Sequence, residues 1–127
     1  MKIPYSQDYS PSAPMLPVSL AVPEEAPQIG PQPALIDTGA DGTFIPTTLL
    51  EQLDVPIVYA TNVRSHISDT LQRVSVYKVD ILLDTIRLPD IEVVGDDWGN
   101  EIIIGRNLLN KLQLLLDGPK QTTELKI

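Results

Sequence analysis

The residues with the clearest chemical potential in this 127-residue chain are Asp37-Thr38-Gly39. They stand directly behind the short apolar run Ala34-Leu35-Ile36, which places a carboxylate at the end of a buried strand. A hydroxyl beside that carboxylate can knit the turn in place. A glycine next in line lets another backbone pass close to a reacting centre. The same three residues also suit an ordinary turn at a strand end, so the tripeptide alone leaves both readings open.

Other chemistry-bearing groups are weaker. Ser65, His66 and Asp69 are the residue types of a hydrolytic triad, but in a strand Ser65, Ile67 and Asp69 share one face while His66 takes the other. No Gly-x-Ser-x-Gly elbow accompanies them. Asp96, Asp97 and Glu101 are hard oxygen donors, yet their spacing does not follow a Ca²⁺ loop, and a solvated acidic turn explains them. With Cys 0 and His 1, thiolate zinc sites, disulfides and thiol nucleophiles are excluded, and little remains for an imidazole-rich metal site.

The elements that position Asp37 follow from punctuation and periodicity. Nine of the twelve prolines fall within residues 1–46, which predicts edge strands and loops there. Met15 to Val22 reads as a short strand and Pro23 to Pro33 as a solvated loop. Asp37 to Gly42 is a tight polar turn between the run ending at Ile36 and a second one, Thr43-Phe44-Ile45. Thr48 and Glu51 fit a capping box for a short helix with Leu49, Leu50 and Leu53 on its apolar stripe, ended by Asp54-Val55-Pro56.

Residues 57–83 carry β-branched, alternating pattern, and turns are expected at Asp84-Thr85 and at Leu88-Pro89-Asp90. Ile102-Ile103-Ile104 reads as a strand buried on both faces, and Leu108, Leu109 and Leu112 as a second short helix. Gln113 to Asp117 and Gln121 to Leu125 form a closing hairpin about Gly118-Pro119, with Leu114-Leu115-Leu116 as buried strand and Trp98 in the core or at its rim. Two apolar strands, at Leu35-Ile36 and Ile103-Ile104, thus each run into a glycine-containing turn and then a short helix.

Composition bounds the partners. A formal net charge of −8 spread along the chain disfavours nucleic acid and anionic membrane, and 5% aromatic content gives no base-stacking platform. The size suits one domain, 1–127, with a proline-rich amino-terminal strand and loop segment over 1–33 and a core over 34–127. With no apolar stretch near the roughly 20 residues of a membrane span and no apolar signal core, the expectation is a soluble cytoplasmic protein.

Ala34-Leu35-Ile36-Asp37-Thr38-Gly39-Ala40-Asp41, followed about sixty residues later by Ile102-Ile103-Ile104-Gly105-Arg106-Asn107-Leu108-Leu109, resembles the retropepsin-like aspartic proteases, retroviral and single-lobe bacterial. The resemblance is close over residues 34–46 and 101–117 and holds by pattern elsewhere. It implies an all-β fold, a closed acid-protease barrel of one lobe with one or two short helices, active as a homodimer with Asp37 from each chain as the catalytic residue. Metal-free peptide hydrolysis needs a carboxylate base and a carboxylic acid, and this chain offers one such motif, so both must come from a pair of chains. No metal or organic cofactor is implied, and the substrate is an extended peptide.

By position in the motif, Thr38 is the residue whose hydroxyl cross-links the two active-site turns, and Gly39 the one that admits substrate backbone. Ala40 stands where pepsin-like relatives carry Ser or Thr; without that donor the pair titrates higher, and activity is expected to reach mildly acid or near-neutral pH. Asp41 and Arg106 are implied to pair, partly buried, and to brace the turn. The family's flap corresponds to Tyr59 to Val76, which here holds no Gly. That departure leaves a second reading, a non-catalytic peptide-binding or assembly module with the same fold. A third is a precursor whose segment Pro4 to Pro33 blocks the site or is removed by self-cleavage.

Overall fold

β-branched residues recur along the chain, and the computed structural model, which describes residues 1–64 and 70–126, is strand-rich. In chain order the elements are β1 (Lys2–Pro4), β2 (Met15–Ala21), β3 (Ile29–Ile36), β4 (Thr43–Pro46), α1 (Thr47–Leu53), β5 (Ile57–Arg64), β6 (Leu71–Leu83), β7 (Ile86–Asp96), β8 (Ile102–Ile104), α2 (Arg106–Leu109), β9 (Gln113–Asp117) and β10 (Thr122–Lys126). The main sheet runs β2-β3-β8-β4-β7-β6-β5, and β2 also pairs with β6. That extra pairing closes six strands into a barrel and leaves β5 as the outer arm of a hairpin with β6. A second sheet, β1-β10-β9, brings the two ends of the chain together.

The proline-rich start is built into the barrel rather than set at its edge, which corrects the expectation for residues 23–33. Strand β3 begins at Ile29, so the loop is shorter, and both β2 and β3 have neighbours on two sides. The prolines are tolerated because of where they fall. Pro17 lies opposite Pro33, so two residues without donors share one rung. Pairing of β2 with β6 involves Ser19 to Ala21, and pairing of β3 with β8 involves Ala34 to Ile36, beyond the prolines in each case. Leu16, Val18 and Leu20 of β2 are fully buried beside Ile45, Ile81 and Ile104. Removing residues 1–33 would therefore take a wall out of the barrel.

Helix α1 starts without the capping box expected from Thr48 and Glu51. Pro46 occupies the cap position, where a missing N–H costs nothing, and no side chain caps the helix. Thr47 instead donates its hydroxyl to Asp97 Oδ1 at 2.5 Å. Leu50 and Leu53 turn into the core, and Asp54, left-handed at φ 61°, ends the helix by donating its N–H to the carbonyls of Leu50 and Glu51. Leu108 of α2 is likewise fully buried. No helix among the described residues is long and apolar enough to cross a membrane.

Two apolar expectations are overturned. The β9–β10 hairpin forms, but Leu115 and Leu116 are 44% and 43% exposed, because β9 has a partner on one side only and its sheet is not covered over those positions. Trp98 is 84% exposed on the loop between β7 and β8. That loop is held by Asp96, whose Oδ1 accepts the N–H groups of Trp98 and Gly99, so the indole is carried outward.

Leu88-Pro89-Asp90 is a bulge inside continuous β7, not a turn: the β6–β7 register shifts between Val79 and Ile81, and Asp90 takes φ 52°. Asp80, 2% exposed, holds this irregularity. Its Oδ1 accepts the Asp90 N–H at 2.9 Å, and its Oδ2 accepts the Glu24 N–H at 3.1 Å and Arg87 Nε at 2.8 Å. Burial pushes the carboxyl up, but the amides of Asp90 and Glu24 and the Arg87 guanidinium together outweigh it and hold the carboxyl below its ordinary range. Two left-handed residues, Glu24 and Asp90, thus depend on one buried carboxylate.

Asp80→Asn is expected to cost about 2–4 kcal/mol, because one acceptor becomes a donor facing donors. Since the folded carboxyl titrates below the unfolded one, its stabilisation is present above the unfolded value near 4 and is lost as pH falls through the folded value. Urea unfolding of wild type and variant from pH 7 to pH 3 checks both: the gap between them narrows toward acid.

Candidate active site

The echo between the two strand-turn-helix units becomes physical at the barrel's centre. Strands β3 and β8 are parallel neighbours, with Leu35 opposite Ile103 and Ile36 opposite Ile104. Asp37 extends this ladder by donating its N–H to the Ile104 carbonyl at 3.0 Å. Its side chain is half-buried, and Oδ1 accepts the Gly39 N–H at 2.9 Å while the Asp37 carbonyl accepts the Ala40 N–H. A Cβ at position 39 would stand 3.2 Å from Asp37 Oδ1, so glycine keeps the carboxylate's neighbourhood open. Oδ2 has no hydrogen-bond partner among the described residues.

A second turn clamps the first. Arg106 donates its backbone N–H to the Ala40 carbonyl at 2.9 Å, and Asn107 donates to the Asp41 carbonyl at 3.2 Å. Between them Gly105 lies so close to Gly42 that a Cβ there would meet the Gly42 carbonyl oxygen at 2.0 Å. Thr43, fully buried, accepts the Gly105 N–H at 3.2 Å and donates its hydroxyl to Asn107 Oδ1 at 2.8 Å. Asn107 Nδ2 in turn donates to the Glu92 carbonyl on β7, so three strands converge on one polar knot.

Arg106 meets Asp41 through Nη2 and Oδ1, and its Nη1 donates to the Thr38 carbonyl at 2.8 Å. The contact is not partly buried as anticipated: the Asp41 and Arg106 side chains are 92% and 45% exposed in the single chain, and Thr38 is exposed beside them. Solvent screening limits such a pair to about 1 kcal/mol or less. Its geometric effect is to hold the outer rim of the turn.

Asp37 opens into a cleft of about 1060 Å³. Phe44, Val76, Val94 and Ile103 give it an apolar floor, and Tyr59, Val63 and Gln72 of the β5–β6 hairpin form one wall. None of residues 1–33 lines it, so that segment does not cover Asp37. Ser65, His66 and Asp69 lie outside the described residues. Asp96, Asp97 and Glu101 serve local contacts: Asp96 caps its loop, Asp97 accepts from Thr47, and Glu101 accepts the Tyr9 phenol, which pushes Tyr9 up to about 12. Among the described residues no group of three or more His, Cys, Asp or Glu could hold a metal ion.

At the level of sequence, no protein-family model and no curated protein matches the chain. Solved structures do match. A retropepsin-like aspartic protease from Rickettsia conorii superposes with a TM-score of 0.67 at 13% identity, over 98% of this chain and 88% of that one. The EIAV protease complexed with the inhibitor HBY-793 gives 0.60 at 18% identity, over 86% and 93%. This chain has the retropepsin fold. A third likeness, to the retroviral protease-like domain of Ddi1 from Leishmania major, has a TM-score of 0.54 at 16% identity, over 88% of each chain. As the sequence resemblance implied, the retropepsin fold here is a closed, mostly β barrel with two short helices.

Sequence reasoning missed Thr43, Asn107 and Glu92. The available signal for the first was a lone hydroxyl opening an apolar strand, and for the second its place within Gly105-Arg106-Asn107. Glu92 carried none, since its contacts arise from the β6–β7 register and from β5.

Gly105→Ala is expected to prevent folding or to cost more than about 3 kcal/mol, because the added carbon meets backbone and not a movable side chain. Thr43→Val strands the Gly105 N–H and is expected to cost about 1–3 kcal/mol, whereas Thr43→Ser retains most stability. Denaturant midpoints of the three variants check this ordering.

Proposed function

We propose that the protein is an aspartic endopeptidase acting as a homodimer, with Asp37 from each subunit forming the reacting pair. The observation that carries this reading is Asp37 itself: a carboxylate fixed at a strand end through Gly39 and Ile104, opening into a cleft of about 1060 Å³. The fold supports it, since barrels of this kind are aspartic proteases in Rickettsia conorii and EIAV.

Two such carboxylates brought to about 3 Å cannot both ionise, so one holds a proton that the other has released. The ionised Asp37 takes a proton from water as the water oxygen adds to the peptide carbonyl carbon. The protonated Asp37 gives its proton to the carbonyl oxygen. Collapse of the adduct breaks the C–N bond as the proton taken from water goes to the leaving nitrogen. One hydroxyl of the adduct returns its proton to the other Asp37, which leaves an acid, an amine and the pair in its starting state. In this reading Thr38, exposed beside Asp37, meets its copy across the axis, while Gly39 admits substrate backbone and Ala40 adds no hydroxyl donor to the pair. Asp41 and Arg106 brace the turn. Exposed Leu115 and Leu116, with the terminal sheet that carries them, supply apolar surface for the subunit interface.

The glycine-free arm between Tyr59 and Val76 favours one other reading, a peptide-binding module that has this fold without hydrolysis.

Cleavage of a mixed peptide library between pH 4 and pH 7 separates the two. Wild type is expected to cleave into the near-neutral range, and Asp37→Asn to lose at least about 10²-fold in rate. Sedimentation over a concentration series is expected to show a monomer–dimer equilibrium with activity tracking the dimer. A dimer that binds peptides but cleaves none establishes the module, and activity confined below about pH 4 contradicts the role given to Ala40.

A further inference from the structure

Three carboxylates line the cleft, and they differ in what meets them. Asp37 accepts the Gly39 N–H, and Asp41 meets Arg106. Glu92, exposed on β7, receives the Tyr59 phenol on Oε2 at 2.9 Å and nothing cationic among the described residues. Lys78 lies opposite Glu92 in the β6–β7 register but makes no ion pair with it. No Lys or Arg whose side chain is described, Arg64 standing outside that set, lines the cleft.

The Glu92 position is fixed from two directions. Its backbone carbonyl is bound by Asn107 Nδ2, tying it to the clamp beneath Asp37, and its carboxylate is bound by a phenol from β5 across the cleft wall. That hydrogen bond pushes the Tyr59 phenol's ionisation up, so Tyr59 remains a neutral donor that orients Glu92 without cancelling its charge. An acidic substrate side chain placed here would meet like charge, and an apolar one would strip water from an unpaired carboxylate. A Lys or Arg side chain would gain a charge-assisted hydrogen bond to an acceptor already held in place.

We infer that Glu92 is a specificity determinant that selects peptides carrying a Lys or Arg side chain where the bound strand crosses β7. The inference rests on the reading of the cleft as a peptide site, but not on hydrolysis. Because Glu92 is exposed, the preference is modest: about fivefold in affinity over an uncharged residue, equivalent to about 1 kcal/mol, and smaller as salt rises.

The test uses the full chain with Asp37→Asn, so that peptides are bound and not consumed. Fluorescent decapeptides that differ only by Lys, Gln or Glu at each position in turn are titrated at low and at high salt. The expected result is one position where Kd rises in the order Lys, Gln, Glu, with the spread shrinking at high salt. Adding Glu92→Gln is expected to erase the Lys preference, and adding Glu92→Lys to turn it toward Glu. Equal affinities at every position, a Lys preference that survives Glu92→Gln, or no binding of any peptide overturns the inference. Cleavage of the same peptides by wild type is read separately: a Lys preference that depends on Glu92 without any cleavage supports the role of Glu92 and counts against the protease.

Discussion

Two backbone turns pressed together at Gly42 and Gly105 are the constraint on which the rest of this molecule depends. Neither residue adopts a left-handed backbone; what matters is the absence of a side chain at a contact where a carbonyl oxygen already occupies the space. Once the turns are in contact, Arg106 and Asn107 can donate to Ala40 and Asp41, and Thr43 can satisfy Gly105 and Asn107 together. Asp37 is held only indirectly, through a parallel ladder and its own turn. Rigidity at the carboxylate is therefore inherited from neutral hydrogen bonds among buried groups, while the charged pair at the rim adds orientation more than energy.

A second carboxylate shows the same economy away from the cleft. Asp80 sits where β2's exit loop, the β6 bulge and the β7 bulge meet, and its two oxygens serve one residue from each flanking segment plus Arg87. The barrel thus rests on two polar knots, one built on Thr43 and one on Asp80, set into a mostly apolar interior. Buried polar groups of this kind are tolerated because each has its partners, and they specify which strands lie side by side where apolar contacts alone would not.

Much of this was legible in the residues. Asp37 behind Ala34-Leu35-Ile36, the paired block at Ile102 to Leu109, both short helices and the closing hairpin could be read because each rests on local pattern or on a motif with two separated halves. What escaped was non-local. Prolines at 17, 31 and 33 argued for an edge, but whether a strand has one neighbour or two at a given residue depends on register with β6 and β8, which no local rule carries. Pro89-Asp90 looks like a turn and is a bulge because buried Asp80 lies opposite to receive it. Leu115, Leu116 and Trp98 were misplaced for a complementary reason: apolar character indicates that a surface is to be covered, and says nothing about whether the same chain does the covering.

The parallel ladder between β3 and β8 joins residues far apart along the chain, and the hydrogen bond from Arg106 to the Thr38 carbonyl beside it spans 68 positions. Closing so large a loop is entropically slow, and it waits on residues 102–107 having left the ribosome. A nascent chain therefore passes through synthesis with its acidic turn loose and unsupported. Until residues 104–107 are made, Asp37 has neither the Ile104 carbonyl nor the clamp on its turn.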